Sequence, residues 1–204
     1  SSSKIILDEI LFSIDEKIYT RVDYNLWNVL NNIPENNEQI VFNCSDITRK
    51  INSSNQKIEE RIDEILILKD ASKLGISNFI KKIEITERVN KFKNRFKNKE
   101  DYNLFLECLG IDEAKLSQLF GDSVIISKYK ETRIKSQIEI YPVEIELYFK
   151  RNKNNYPNST LIEAEPFIKP IISNKKFEQI KSALIGELKK NARINRALCA
   201  KSSL

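Results

Sequence analysis

Four Gly and five Pro among 204 residues narrow the fold of this chain more than any other feature. Tight turns, bulges and sharp reversals draw on these two residue types. A chain with so few of them favours long, lightly punctuated helices. The length suits one substantial core or two modest lobes. Hydrophobic residues make up 41% and charged residues 31%, with both signs interspersed, which is a globular composition. The formal charge of +5 allows loose attraction to anionic surfaces but does not indicate nucleic acid. No apolar run reaches the roughly 18 residues of a spanning helix, so no membrane span is expected.

The chain has no His, which removes the usual general base at neutral pH and the commonest metal ligand. A Ser–His–Asp triad, a Cys–His pair and a histidine-ligated zinc site are all excluded. With dispersed carboxylates and no Gly-rich phosphate loop, no enzyme activity, cofactor or metal is expected. The chain also has no Met, so a processed or engineered start at Ser1-Ser2-Ser3 is the expectation. Cys44, Cys108 and Cys199 are far apart and form no C-x-x-C motif. Unpaired, partly buried thiols are the first expectation for them. One long-range disulfide is the alternative, and the spacing does not choose among the pairings.

The local pattern divides the chain into blocks. Ile10, Phe12 and Ile14 alternate as in a half-buried strand, and Asp15-Glu16-Lys17 reads as a polar turn before Ile18 and Tyr19. Thr20 with Asp23 resembles a capping box, predicting a helix from about Arg21 with Tyr24 and Trp27 on one face. Asn31, Asn32 and Pro34 end it. Residues 35–54 read as polar and irregular, with a short strand-like or turn-like piece at Ile40-Val41-Phe42. Ile58, Ile62, Ile65, Leu66 and Leu68 then define a helix closed by Gly75. Thr86 is the expected cap of the next, with Val89, Phe92 and Phe96 inward. Its Lys91, Lys93, Arg95 and Lys97 read as a solvated charged face.

Further on, Asp101 is the expected cap of a short helix carrying Leu104, Phe105 and Cys108 and closed by Gly110. Asp112 is expected to cap a longer one with Leu116, Leu119, Phe120, Val124 and Tyr129. Pro142 fits the first position of a helix with Ile145, Tyr148 and Phe149 on its buried stripe, and Pro157 bars its continuation. Pro166 and Pro170 make residues 161–172 read as an edge strand or extended arm. A terminal helix follows, with Phe177, Ile180, Leu184, Leu188 and Ala192 on one stripe.

The order of these blocks resembles the SurA-like periplasmic chaperones, whose members commonly carry parvulin-type prolyl isomerase domains. FSIDEKIYTRVDYNL is similar to the family's opening strand–turn–helix. Glu60–Ile76, Ile83–Phe92 and Phe105–Phe120 resemble its next helices. IEIYPVEIELYFKRNKNNYP resembles the helix that precedes the isomerase domain, although Tyr141 stands where the family usually has a Ser or Thr cap. The terminal helix ending in KKNARI resembles the element that returns to complete the chaperone core. Only about 20 residues separate the last two blocks, far fewer than the roughly 100 of a small domain, and the family's isomerase histidines are absent. No isomerase activity is expected.

The resemblance implies a mainly α chaperone core with a small β element near the N-terminus and an extended arm before a long C-terminal helix. It implies an N-terminal helical module over 1–157, completed by a returning arm and helix over 158–204. It implies a periplasmic, ATP-independent holdase that binds unfolded exported or outer-membrane polypeptides, its leader or anchor segment absent from this chain. The candidate client-binding residues are Tyr24, Trp27, Phe92, Phe96, Tyr148 and Phe149, each of which an ordinary core would equally use. The alternative is a catalytically inactive module for one dedicated partner, or a homodimer exchanging its terminal helix. No nucleic-acid partner is expected.

Overall fold

The computed structural model describes residues 9–33, 36, 38–44 and 55–196. The expectations for Ser1-Ser2-Ser3, Pro34 and Cys199 lie outside these residues. The protein is mainly helical, with seven α-helices and a small antiparallel sheet among the described residues. It forms two compact units, one made of residues 1–126 with 188–204 and the other of residues 127–187. The chain passes between them within helices.

In the first unit, β1 (Ile10–Ile14) and β2 (Lys17–Thr20) form a hairpin, and β3 (Ile194–Arg196) pairs with the other side of β1. Asp15 occupies the turn at φ 54°, a left-handed conformation that its short polar side chain tolerates. The strand alternation holds only in part. Phe12 and Ile14 are buried, but Ile10 is exposed and Leu11 is buried in its place. The cause is a register shift between Ile10 and Phe12, which turns the preceding side chains over.

Helix α1 (Arg21–Asn31) starts as the sequence predicts. The Asp23 N–H donates to Thr20 Oγ1 at 3.4 Å and the Thr20 N–H donates to Asp23 Oδ2 at 3.1 Å. Helix α2 (Asn55–Lys73) buries Ile62, Ile65, Leu66 and also Ile67. Gly75, at φ 68°, opens a short 3₁₀ turn, Ile76–Phe79. The hairpin, α1 and α2 share one core of Leu11, Phe12, Ile14, Tyr24, Trp27, Ile62, Ile65 and Leu66.

Helix α3 (Lys82–Lys93) begins four residues before Thr86. The Thr86 hydroxyl donates to the Lys82 carbonyl at 3.0 Å, back-bonding inside the helix instead of capping it. Helix α4 (Lys99–Leu109) is capped by Asn98, not by Asp101. Asn98 has the extended backbone of a cap, and its Oδ1 accepts the Asp101 N–H at 2.7 Å. Leu104, expected inside, is exposed. Helix α5 (Glu113–Arg133) is capped as predicted, with Lys115 N–H donating to Asp112 Oδ1 at 2.7 Å. A second core joins Phe92, Phe96, Tyr102, Phe105, Leu106 and Leu116, with Phe42 and Phe120 packed against it. Contrary to the first expectation for the thiols, Cys44 and Cys108 form a disulfide, with Cα atoms 5.4 Å apart.

The second unit contains the C-terminal end of α5, helix α6 (Pro142–Arg151) and most of helix α7 (Leu161–Lys190). Residues 161–172 are therefore helix, which corrects the extended arm. Pro166 and Pro170 each remove one intrahelical bond, but they are four residues apart on the exposed side. The carbonyls they leave unpaired belong to Ile162 and Pro166, also exposed residues, where water can satisfy them. Ala164, Ile168 and Ile172, again four apart, pack with Ile145 in a third core. That burial and the cap below outweigh the two prolines.

The terminal helix also ends earlier than its periodicity suggests. Ile194–Arg196 is strand β3, with Ile14 opposite Ile194 and Phe12 opposite Arg196. Leu188, Ala192 and Ile194 pack on the first core. Pairing with β1 overrides the helical propensity of these residues.

Candidate functional site

Helices α6 and α7 carry more apolar surface than their shared core covers. Pro142 sits at the first position of α6, where its missing N–H is harmless. Glu144 Oε2 accepts the Tyr141 N–H at 2.9 Å, half of a capping box. The Tyr141 hydroxyl donates to Glu139 instead of closing the other half. For α7, Thr160 and Glu163 form a complete box. The Thr160 N–H donates to Glu163 Oε2 at 2.8 Å, and the Glu163 N–H donates to Thr160 Oγ1 at 3.4 Å. These bonds hold the Glu163 carboxyl below its usual range, the Thr160 backbone contributing most.

The apolar residues of α6 alternate at Val143, Ile145 and Leu147. At 3.6 residues per turn, a two-residue step turns about 200° around a helix, so alternation splits them between opposite faces. Ile145 is buried, while Val143 and Leu147 are 57% and 45% exposed. In α7 the apolar residues come as adjacent pairs. Ile168 and Ile172 are buried, and their neighbours Phe167 and Ile171 are 67% and 42% exposed. Each exposed pair has the i,i+4 spacing that makes side chains neighbours on a helix surface.

Ion pairs lie among these apolar residues. Lys176 Nζ is 2.6 Å from Glu144 Oε2 and lies 5.3 Å from the Tyr141 ring centroid. The bond from Lys176, then that from the Tyr141 backbone, holds Glu144 below its ordinary range. Lys169 pairs with Glu165 at 2.6 Å.

The six residues proposed from sequence are not gathered together. Tyr24 and Trp27 lie in the first core, where the Trp27 indole N–H donates to Glu64 Oε2 at 2.6 Å and Arg61 stacks at 5.5 Å. Phe92 and Phe96 lie in the second core, with centroids 5.3 Å apart. All four are buried and pack within these cores. Tyr148 and Phe149 are half-buried against the third core, and Lys153 lies 4.2 Å over the Phe149 ring. Sequence reasoning missed Val143, Leu147, Phe167 and Ile171. The signal was present in the alternating VEIEL and the paired FI and II of α7.

The first unit also holds a polar cluster. Burial pushes the Arg61 guanidinium and the Asp122 carboxyl toward their neutral forms, and raises the Tyr19 hydroxyl. Arg61 makes one long contact, 3.5 Å, to Glu64. At the sheet edge, Arg196 meets Glu59 through two bonds of 2.6 and 3.0 Å, and Lys189 bridges Glu59 and Asp63. The Arg196 bond, with help from Lys189, lowers the Glu59 pKa to about 2. Among the described residues, no group of three or more His, Cys, Asp or Glu is placed to hold a metal ion. Nor, among them, is any helix long and apolar enough to cross a membrane.

No protein-family model matches the chain, and no curated protein matches it significantly.

Proposed function

We propose that this protein is an ATP-independent chaperone, of the SurA-like periplasmic type, that holds unfolded exported or outer-membrane polypeptides without covalent chemistry. The observation that carries the reading is the pair of exposed apolar stripes, Val143 with Leu147 and Phe167 with Ile171. Isolated surface hydrophobics are ordinary, whereas clustered ones mark interaction surfaces. A patch of about 400 Å² at about 25 cal/mol per Å² offers roughly 10 kcal/mol gross. Association and ordering costs consume most of that, leaving weak, releasable binding.

Two further features support the reading. Only residues 152–160 separate α6 from α7, a link far below the roughly 100 residues of a small folded domain. A disulfide between Cys44 and Cys108 favours an oxidising compartment such as the periplasm. The dedicated-partner reading and the helix-swapped dimer gain no specific support, since Leu188, Ala192 and Ile194 already pack on the core of their own chain.

The test is suppression of aggregation of several unrelated unfolded outer-membrane proteins at modest molar excess. The proposal expects suppression of most of them without ATP. Suppression of none, alongside tight capture of one native partner, would overturn it.

A further inference from the structure

Helices α2 and α3 are joined by a tight corner. Gly75 reverses the chain in a left-handed conformation that suits its missing Cβ, and the 3₁₀ turn Ile76–Phe79 follows. Backbone bonds fix the corner. The Leu74 N–H donates to the Asp70 carbonyl at 3.0 Å, and the Asn78 N–H donates to the Gly75 carbonyl at 3.0 Å. The Ile80 N–H donates to the Ser77 carbonyl at 3.3 Å. Ala71 and Ile76 are buried and anchor the corner in the first unit.

The corner turns three large apolar side chains to solvent within residues 74–83. Leu74 is 48% exposed, Phe79 76% and Ile83 57%. A 3₁₀ turn advances about 2 Å per residue, so the backbones of Leu74 and Phe79 lie on the order of 10 Å apart. Lys73, Lys81 and Lys82 stand beside them, all exposed. From Lys73 to Ile83 the chain carries no carboxylate, and Asp70 and Glu84 flank the run. The nearby Lys69 and Lys93 are paired, with Asp15 and Glu113. Among the described residues, the ammonium groups of Lys73, Lys81 and Lys82 have no such partner.

We infer that this corner docks the protein on an anionic phospholipid bilayer, with Phe79, Leu74 and Ile83 entering the headgroup boundary and the three lysines holding lipid phosphates. Charge complementarity selects this partner. An anionic leaflet attracts lysines close to its surface, and lysine stems lie along apolar material while their heads stay at the phosphates. Shape selects it too. Phe79 protrudes, whereas peptide sites are grooves or strand edges. Because the backbone of the corner is already fixed, docking orders no loop. Glu84 and Glu87 confine the attractive face to the start of α3. The inference is independent of the chaperone proposal, whose apolar stripes lie on α6 and α7, and vesicles contain no polypeptide client.

The experiment is co-sedimentation of the full chain with vesicles of phosphatidylcholine alone and of phosphatidylcholine mixed with phosphatidylglycerol. The protein should bind the mixed vesicles, less so as salt rises, and stay in the supernatant with the neutral ones. Lys73→Gln, Lys81→Gln and Lys82→Gln together should weaken binding on the order of a hundredfold. Phe79→Ser should weaken it by about tenfold and leave suppression of aggregation unchanged. Circular dichroism should show both variants folded, since all four side chains are exposed. Lipids brominated near the headgroup end of the acyl chain should quench a Phe79→Trp variant and not the unaltered protein, whose Trp27 is buried. Binding to both vesicle types alike, or to neither, would overturn the inference. So would a lysine effect with no Phe79 effect and no quenching, which is how a site for nucleic acid would behave. Loss of aggregation suppression in Phe79→Ser with vesicle binding kept would assign the corner to clients and overturn it as well.

Discussion

Single residues decide several local outcomes. Glu59 receives Arg196 and Lys189, and its carboxyl is held down to about 2 from an ordinary 4.5. A depressed carboxyl adds stability above its unfolded pKa and loses it as pH falls through its folded pKa. The anchoring of β3 should therefore weaken as pH falls from about 4.5 to about 2. Because Glu59 is 38% exposed, solvent screens the pair and the effect is small. Glu59→Gln should lower Tm slightly at neutral pH and flatten the acid limb of the stability curve, as followed by circular dichroism. An unchanged acid limb would show that the pair does not anchor the strand. Gly121 poses a different balance. A Cβ there would meet Ile85 Cδ1 at 3.3 Å, while an interior helical Gly costs about 1 kcal/mol relative to Ala. Since Ile85 is half-buried and its tip can turn aside, Gly121→Ala should be near neutral. Gly121→Val, bulkier and β-branched, should lower the denaturation midpoint.

At the scale of elements, a cap three residues from its partner was legible in some places and not in others, since Asn98 with Asp101 and Thr160 with Glu163 share that spacing and were not read. Thr20 with Asp23 and the Asp112 cap were read correctly from sequence. Thr86 was misread because a hydroxyl that back-bonds to Lys82 has the same local sequence as one that caps. The N-terminal half of α7 was missed because proline was weighed locally. Its cost is offset by the Thr160–Glu163 box and by burial of Ala164, Ile168 and Ile172, and only the fold reveals that burial. Interior proline costs about 3 kcal/mol relative to Ala, partly offset by the unfolded-chain entropy it removes. Pro166→Ala and Pro170→Ala should therefore each stabilise the protein, by about 1–2 kcal/mol in chemical denaturation. Neutral or destabilising outcomes would favour the extended arm. Strand β3 was equally hidden, since its partner β1 lies at the other end of the chain.

For the whole molecule, the mainly helical class followed from scarce Gly and Pro and from the 3.6-residue period, and the N-terminal β element from the alternation of Ile10, Phe12 and Ile14. Grouping into the cores found among the described residues did not, because periodicity marks the apolar face of a helix but not its partner. Nor did it separate site from interior: Tyr24, Trp27, Phe92 and Phe96 are large residues that pack in the cores. The surface proposed in their place consists of smaller stripes that a single-face reading passes over. The most direct test replaces Val143, Leu147, Phe167 and Ile171 together with Ser and measures suppression of outer-membrane-protein aggregation beside the unaltered protein. All four side chains are exposed, so the variant should keep its far-ultraviolet circular dichroism and cooperative melting. The account predicts that it loses most of its suppression, whereas a folded variant that suppresses as well as the original would contradict it.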